Sequence, residues 1–117
     1  KERWSGAVDN VGSTTLANVL SQTVYGGAVA ACGLAGGADL PATVLPHILR
    51  GVALLGIDSV FAPMEKRKRA WQTLADHLDR GHLSALTTVE PMSKVPELAE
   101  AIVAGKIRGR VVIDVSR

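Results

Sequence analysis

Three short segments carry the residues that could do chemistry in this 117-residue chain. They are Asn10-Val11-Gly12, the glycine-rich run Cys32–Gly37, and Ile57-Asp58-Ser59, and each follows an apolar stretch. Small residues let a ligand approach the backbone closely, so that N–H and C=O groups can hydrogen-bond a flat ring or a ribose. We interpret the three segments as ligand-binding loops. The alternative is that their glycines only form tight turns between strands and helices.

Few single side chains in these segments suggest a catalytic role. Cys32 could be a nucleophile, but no basic residue is near it in sequence, and we predict a buried free thiol. Asp9 and Asp58 could each act as an acid or a base. At the end of a strand, however, an aspartate more commonly caps the turn that follows.

No metal site is predicted. The three histidines have no metal-ligand spacing, and we expect His77 and His82 to lie on the surface. A single cysteine excludes a disulfide within the chain and a zinc site of several cysteines. It also favours a reducing compartment.

Several nucleotide-binding and catalytic motifs are absent. No Gly-x-Gly-x-x-Gly follows a strand, so the chain holds no pyrophosphate-binding turn. The glycines between Gly33 and Gly37 lead into a loop with Pro41 instead of a helix. No serine lies in a Gly-x-Ser-x-Gly elbow.

Charge and hydropathy exclude other classes of protein. A net charge of +2 is too small to indicate a nucleic-acid-binding protein. The one dense basic run, Lys66–Arg69, is predicted to be a solvated helix face. No apolar stretch reaches the roughly 20 residues that span a bilayer, and the first residues do not read as a signal peptide. We therefore expect a cytoplasmic protein with neither a membrane nor a nucleic acid as partner.

Apolar runs predict the strands that position these segments. The ranges are Trp4–Gly12, Ala28–Leu34, Val52–Ile57, a short strand in Leu83–Val89, and Arg110–Val115. The second run does not alternate, as expected for a strand buried on both faces.

The first helices are predicted from caps and breakers. Ser13 is a candidate N-cap for a helix that buries Leu16, Val19, Leu20 and Val24 and ends at Gly26-Gly27. A short helix should follow over Thr43–Arg50, with Pro46 in its first turn.

Two further helices follow. The clearest is Met64–Arg80, with charges opposite an apolar stripe and Gly81 as its stop. Ser93 is a candidate cap for the last helix, which should end at Gly105. Alternating strands and helices predict an α/β fold, a parallel sheet with flanking helices. Ligands bind beyond the carboxyl ends of the strands in such sheets, where all three candidate segments lie.

Longer stretches resemble one known family. Gly6–Gly12, Tyr25–Gly37, Leu45–Val60 and Gly105–Val112 are similar to acryloyl-CoA reductases, zinc-independent members of the medium-chain dehydrogenase/reductase superfamily also known as quinone oxidoreductases. The specific motifs are Ala-Ala-Cys-Gly-Leu-Ala-Gly-Gly and Leu-Gly-Ile-Asp-Ser-Val. The resemblance covers essentially the whole chain.

The resemblance implies a fold, a cofactor and a reaction. Residues 1–109 would be the C-terminal half of a Rossmann domain, and residues 110–117 a returning strand that normally belongs to the catalytic domain. The parent enzyme would use NADPH to reduce the C=C bond of acryloyl-CoA by hydride transfer. Alternatives are a quinone or aldehyde reductase of the same superfamily, or a non-enzymatic dimerisation module.

The resemblance also implies site residues and a partner. Val52–Ile57 would form the edge of a homodimer. Independently of the resemblance, the alternative to a solvated helix face for Lys66–Arg69 is electrostatic binding of a phosphate of CoA. No catalytic residue or proton donor can be assigned. The residues implied to bind the cofactor are Asn10, Val11, Cys32, Gly33, Leu34, Ile57, Asp58, Ser59 and Arg110.

Overall fold

The computed structural model describes all 117 residues, which form two compact units, 1–63 and 64–117. The first unit alternates strands and helices: β1 (Trp4–Asp9), α1 (Ser13–Ser21), β2 (Thr23–Ala31), α2 (Leu45–Arg50) and β3 (Ala53–Gly56). The strands form a parallel sheet in the order β1-β2-β3. This confirms the predicted α/β class, and the structure adds that β2 is the central strand.

The core of the first unit lies on one face of this sheet. Val29 of β2 is fully buried and pairs in register with Ala7 on one side and Leu54 on the other. Leu16 and Leu20 of α1 are buried in the same cluster. The spacing of these two leucines, one helical turn apart, places both on the side of α1 that packs on the sheet.

The opposite face of the sheet is open. Val8, Ala30 and Leu55 form the next register row, and their side chains point the other way because side chains alternate along a strand. Val8 is 80% exposed and Leu55 is 50% exposed. The prediction that β2 is buried on both faces is therefore correct for one face only.

The second unit holds a smaller parallel sheet. It contains α3 (Met64–His77), α4 (Arg80–Ala85), β4 (Thr87–Pro91), a 3₁₀ turn (Met92–Lys94), α5 (Val95–Val103) and β5 (Arg110–Asp114). β4 and β5 pair in parallel. No residue of this unit is fully buried. The longest helix of the chain, α3, is too short and too polar to cross a membrane, and no other helix could do so.

The first helix ends earlier than predicted. α1 stops at Ser21, and Gly26-Gly27 lie inside β2, where the ladder with β1 is irregular. Thr23 explains the early stop, because its hydroxyl donates to the Val19 carbonyl oxygen (2.8 Å) while its side chain is fully buried. The chain therefore passes from helix to strand without needing a glycine.

Other predicted boundaries are also wrong. Gly81 does not end a helix but lies inside α4, which is capped by the Asp79 side chain accepting from the His82 N–H (2.9 Å). Because this extra turn occupies Arg80–Ala85, the predicted strand at Leu83–Val89 begins only at Thr87. Ser93 lies within the 3₁₀ turn and caps no helix.

Candidate functional site at the carboxyl ends of the first sheet

The carboxyl ends of β1, β2 and β3 meet at one edge of the sheet. Asp9, Ala31 and Gly56 pair across the three strands as their last registered residues. Two hydrogen bonds extend the pairing by one residue: the Cys32 N–H donates to the Asp9 oxygen (2.8 Å), and the Ile57 N–H donates to the Ala31 oxygen (2.9 Å). The structure thus brings together the starts of all three predicted segments.

Backbone hydrogen bonds join the first two loops to each other. The Asn10 carbonyl oxygen accepts from the Ala35 N–H (3.2 Å), and the Val11 oxygen accepts from the Gly36 N–H (2.7 Å). Gly12 and Gly37 then form an isolated parallel bridge. The two loops are therefore an irregular continuation of the β1–β2 ladder and hold each other in place.

The glycines of these loops are explained by this close packing. A Cβ atom at Gly33 would lie 2.7 Å from the Asn10 oxygen, and one at Gly36 would lie 3.1 Å from Cγ1 of Val11. Either contact is tighter than side chains ordinarily allow. Packing between the two loops therefore accounts for Gly33 and Gly36, which is a different reason from the tight strand-to-helix turns given as the alternative in the sequence.

Most side chains of the predicted set are exposed around these loops. Leu34 is 63% exposed and Ile57 is 47% exposed, so apolar surface is available at this edge. Asn10 is also exposed, and its side-chain amide makes no hydrogen bond within the chain. The edge therefore presents apolar contacts and one amide group to a ligand. Val11 is half-buried, and Ser59 is exposed.

The two aspartates cap turns, as predicted. Asp9 is 4% exposed, and its Oδ2 accepts from the Gly12 N–H (2.8 Å) at the start of α1. Asp58 is exposed, and its Oδ1 accepts from the Val60 N–H (2.9 Å) and the Phe61 N–H (3.0 Å). Both carboxylates thus satisfy backbone donors of the loops that they begin.

We expect Asp9→Ala to lower the free energy of unfolding by about 1–3 kcal/mol, because it leaves the buried Gly12 N–H without a partner. Asp58→Ala is the matched control. Its backbone donors are exposed and can bond water, so its effect should stay within about 0.5 kcal/mol. Urea unfolding of both variants measures the difference; equal losses would mean that burial at Asp9 is unimportant.

The prediction for Cys32 is wrong: its thiol is free but exposed. β2 ends at Ala31, so Cys32 is the first residue of the loop and is not packed inside the sheet. Its Sγ lies 3.4 Å from the Asp9 carbonyl oxygen and donates to it weakly.

Arg110 lies in the second unit. It is the first residue of β5, where its N–H donates to the Leu86 oxygen (2.8 Å) and its side chain is exposed. Its predicted approach to the cofactor stays a prediction.

The three histidines do not form a metal-binding cluster. His77 and His82 are exposed, as predicted, while His47 Nδ1 hydrogen-bonds the Val52 carbonyl oxygen (2.7 Å) and links α2 to β3. The structure holds no group of three or more histidine, cysteine or carboxylate side chains suited to a metal ion. The basic run 66–69 is exposed on α3, with Lys68 paired to Glu65 (3.1 Å).

The sequence placed Gly12, Gly36 and Gly37 in the candidate segments but did not predict that they join the two loops. They are not in the predicted contact set, yet they form the bonds and the bridge between the two loops. The available signal was the recurrence of glycine after both strands.

Known proteins match almost the whole chain. Acrylyl-CoA reductase AcuI of Ruegeria pomeroyi is 52% identical over 98% of this chain, which corresponds to 35% of that protein. A putative quinone oxidoreductase, YhfP of Bacillus subtilis, is 45% identical over 97% of the chain and 34% of its own length. The chain thus spans about a third of the length of these relatives. No family model matches it.

Solved structures agree with the sequence matches. Escherichia coli YhdH, crystallised with bound NADPH, has a TM-score of 0.83 and 49% identity over 98% of this chain and 36% of its own. YhfP, crystallised with NAD bound, has a TM-score of 0.81 and 43% identity over 98% of this chain and 35% of its own.

The parallel sheet with its carboxyl-edge site is of the Rossmann type found in medium-chain dehydrogenases/reductases. The chain is homologous to part of the acrylyl-CoA reductases and the related quinone oxidoreductases, which confirms the family resemblance in its motifs.

Proposed function

We propose that this chain is the C-terminal third of an NADPH-dependent reductase that reduces the C=C bond of acryloyl-CoA. The observation that carries the proposal is the meeting of three loops at the carboxyl edge of a parallel sheet, in a chain about half identical to a named acrylyl-CoA reductase. This edge is the position at which Rossmann-type sheets bind nucleotides.

The chemistry of the edge fits the nicotinamide half of the cofactor. A nicotinamide ring has two flat apolar faces and one carboxamide group. Leu34 and Ile57 offer exposed apolar surface for a ring, and the unpaired amide of Asn10 can exchange hydrogen bonds with a carboxamide. NADPH supplies a hydride when bound, and the second carbon of the reduced bond takes a proton.

In this proposal, the residues of this chain bind and orient the nicotinamide half of the cofactor. Asp9 fixes the turn into α1, and the bonds from Ala35 and Gly36 hold the second loop against the first. A preorganised edge of this kind lowers the entropy lost on binding. We retain Val11, Cys32, Gly33, Asp58, Ser59 and Arg110 as further contact residues in the proposal and assign the proton donor to none of them.

The open sheet face supports the view that the chain is one part of a larger protein. Parallel sheets are normally covered on both faces, whereas the row of Val8, Ala30 and Leu55 is open to solvent. The chain also contains no glycine-rich pyrophosphate turn. Further segments would cover the face and bind the pyrophosphate. β1 and β3 are the two edge strands of this sheet. A homodimer across β3 remains part of the proposal because it comes from the family resemblance.

We expect reduced nicotinamide mononucleotide to bind this chain weakly, in the millimolar range, because only one wall of the site is present. In an amide NMR titration, shifts should be confined to 10–12, 32–37 and 57–59. Adenosine 2′,5′-bisphosphate, the other half of NADPH, should leave these signals unchanged. Shifts scattered over the surface, or micromolar affinity for NADPH itself, would contradict the proposal.

Substrate class needs the complete enzyme. Oxidation of NADPH with acryloyl-CoA as acceptor, compared with a simple quinone, separates the proposed reaction from the second candidate. That candidate is favoured by the similarity to YhfP. Faster turnover of the quinone than of acryloyl-CoA would contradict the proposed substrate and favour a quinone reductase.

A further inference from the structure

The loop that follows β3 exposes the one phenylalanine of the chain. Phe61 is 84% exposed, the largest fraction of any large apolar side chain in the first unit. A single exposed apolar residue needs no explanation, but Phe61 is not isolated. Val60 is exposed beside it, and the exposed Leu34 and Ile57 lie at the same end of the sheet. The carboxyl edge therefore carries a group of uncovered apolar side chains.

The backbone of this loop is held in place although its side chains are exposed. Asp58 Oδ1 accepts the N–H groups of both Val60 (2.9 Å) and Phe61 (3.0 Å). Two bonds to one oxygen set the direction in which the chain leaves β3. Phe61 therefore stands in solvent on a turn that is already formed. Such preorganisation reduces the entropy that is lost when a ligand binds.

Phe61 lies close to the carboxyl edge. Ile57 extends β3 by one residue, through its bond to the Ala31 oxygen (2.9 Å). Phe61 follows four residues later, so its Cα lies within roughly 14 Å of the Ile57 Cα even for an extended chain. The two bonds to Asp58 bend the chain and bring Phe61 nearer. Its ring is therefore within reach of a ligand that contacts Ile57.

Phe61 is also the one aromatic side chain at this edge. The first unit contains two others, Trp4 and Tyr25. Trp4 is the first residue of β1 and Tyr25 the third of β2, so both belong to the opposite, amino end of these parallel strands. An aromatic ring offers a flat face for offset stacking on another ring, which the branched chains of Leu34 and Ile57 lack. Phe61 therefore supplies the aromatic face of the edge.

We propose that Phe61 stacks on the nicotinamide ring of the bound cofactor and that Asp58 positions it for this contact. The identity of the ring rests on the proposed function. Within the proposed site, Asp58 then acts by supporting the loop, because its Oδ1 is already occupied by two backbone N–H groups. Phe61 becomes a determinant of specificity, because stacking favours a flat ring over an aliphatic group of similar size.

The test compares Phe61→Leu with the unsubstituted full chain in NMR titrations with reduced nicotinamide mononucleotide. Leucine keeps the apolar character and removes the aromatic ring, and at so exposed a position it should leave folding unchanged. We expect the Kd to rise roughly three- to tenfold, the range of an aromatic pair. The nicotinamide ring protons should shift upfield on binding, through the ring current of Phe61, and Phe61→Leu should abolish this shift. Tyr25→Leu, at a residue that is 78% exposed, is the matched control and should alter neither quantity.

Two substitutions at Asp58 test its positioning role. Asp58→Asn retains a side-chain oxygen that can accept both N–H groups, so the Kd and the upfield shift should stay close to those of the unsubstituted chain. Asp58→Ala leaves the loop without this support and should weaken binding and reduce the shift, although Phe61 itself is intact. Equal losses in the two variants would overturn the positioning role.

Failure of this inference can be told from failure of the proposed function. Amide shifts at 10–12, 32–37 and 57–59 without an upfield shift of the ligand, or equal affinities of Phe61→Leu and the unsubstituted chain, overturn the stacking alone. No amide shifts at these loops would contradict the proposed site and the stacking together. Faster sedimentation of the unligated chain than of Phe61→Leu would assign Phe61 to a contact between copies and also overturn the stacking.

Discussion

Gly12→Ala should lower the free energy of unfolding by about 3 kcal/mol or more, the sum of a backbone strain and a steric term. Gly12 has φ 73° and ψ −160°, a region that is essentially restricted to glycine. An added Cβ would also lie 2.5 Å from the Gly37 carbonyl oxygen. Because Gly12 and Gly37 form the bridge between the two loops, this steric overlap can be removed only if the loops move apart.

Gly51→Ala is the matched control for this substitution. Gly51 ends α2 with φ 61° and ψ 27°, and a Cβ there meets nothing within 4 Å. Gly51→Ala should lower the free energy of unfolding by about 1–2 kcal/mol, because only the left-handed backbone conformation disfavours alanine there. Urea unfolding measures both variants. A loss at Gly12 no larger than that at Gly51 would show that the two loops do not approach as closely as described.

Gly33→Ala should lower the free energy of unfolding by about 1–3 kcal/mol, as overpacking does elsewhere. The conformation of Gly33 is open to any residue, so steric overlap is the single cause: a Cβ would lie 2.7 Å from the oxygen and 3.0 Å from the Cα of Asn10. Both are backbone atoms, which cannot rotate away. Displacing them moves Asn10 and should weaken binding of reduced nicotinamide mononucleotide at least threefold.

Gly56→Ala provides the comparison at the same sheet edge. Gly56 is the last residue of β3, and no atom lies within 4 Å of its added Cβ. Its stability should be unchanged or slightly raised, because alanine has fewer conformations to lose on folding. NMR titration of the folded variants separates the binding effect from the stability effect. Unaltered binding in Gly33→Ala would exclude the second loop from the site.

Much of the first unit could be predicted because its signals are local. Leu16 and Leu20 recur one turn apart, Pro46 starts a helix, and apolar runs of the right length give the three strands. The capping role of Asp9 also followed from its place at the end of a strand. These features depend on neighbours within a few residues along the chain.

The predicted ends of helices were wrong where a distant contact or a competing local hydrogen bond determined them. Gly26-Gly27 read as a helix stop, but the buried Thr23 and the pairing of β2 with β1 place them in a strand. Gly81 read as a stop, but the cap from Asp79 starts another helix across it. Glycine indicates a backbone freedom, and it does not indicate which structure uses that freedom.

The candidate site divides in the same way. The sequence by itself determined the three loops, their small residues and their place beyond parallel strands, because strand direction follows from the order of strands and helices. Its motifs also identified the family that the relatives confirm. Only the tertiary structure decided how the loops at Asn10 and Gly33 interlock, since that contact joins residues 23 apart through backbone atoms that every sequence shares. It also decided that Cys32 is exposed, because strand pairing sets where β2 ends.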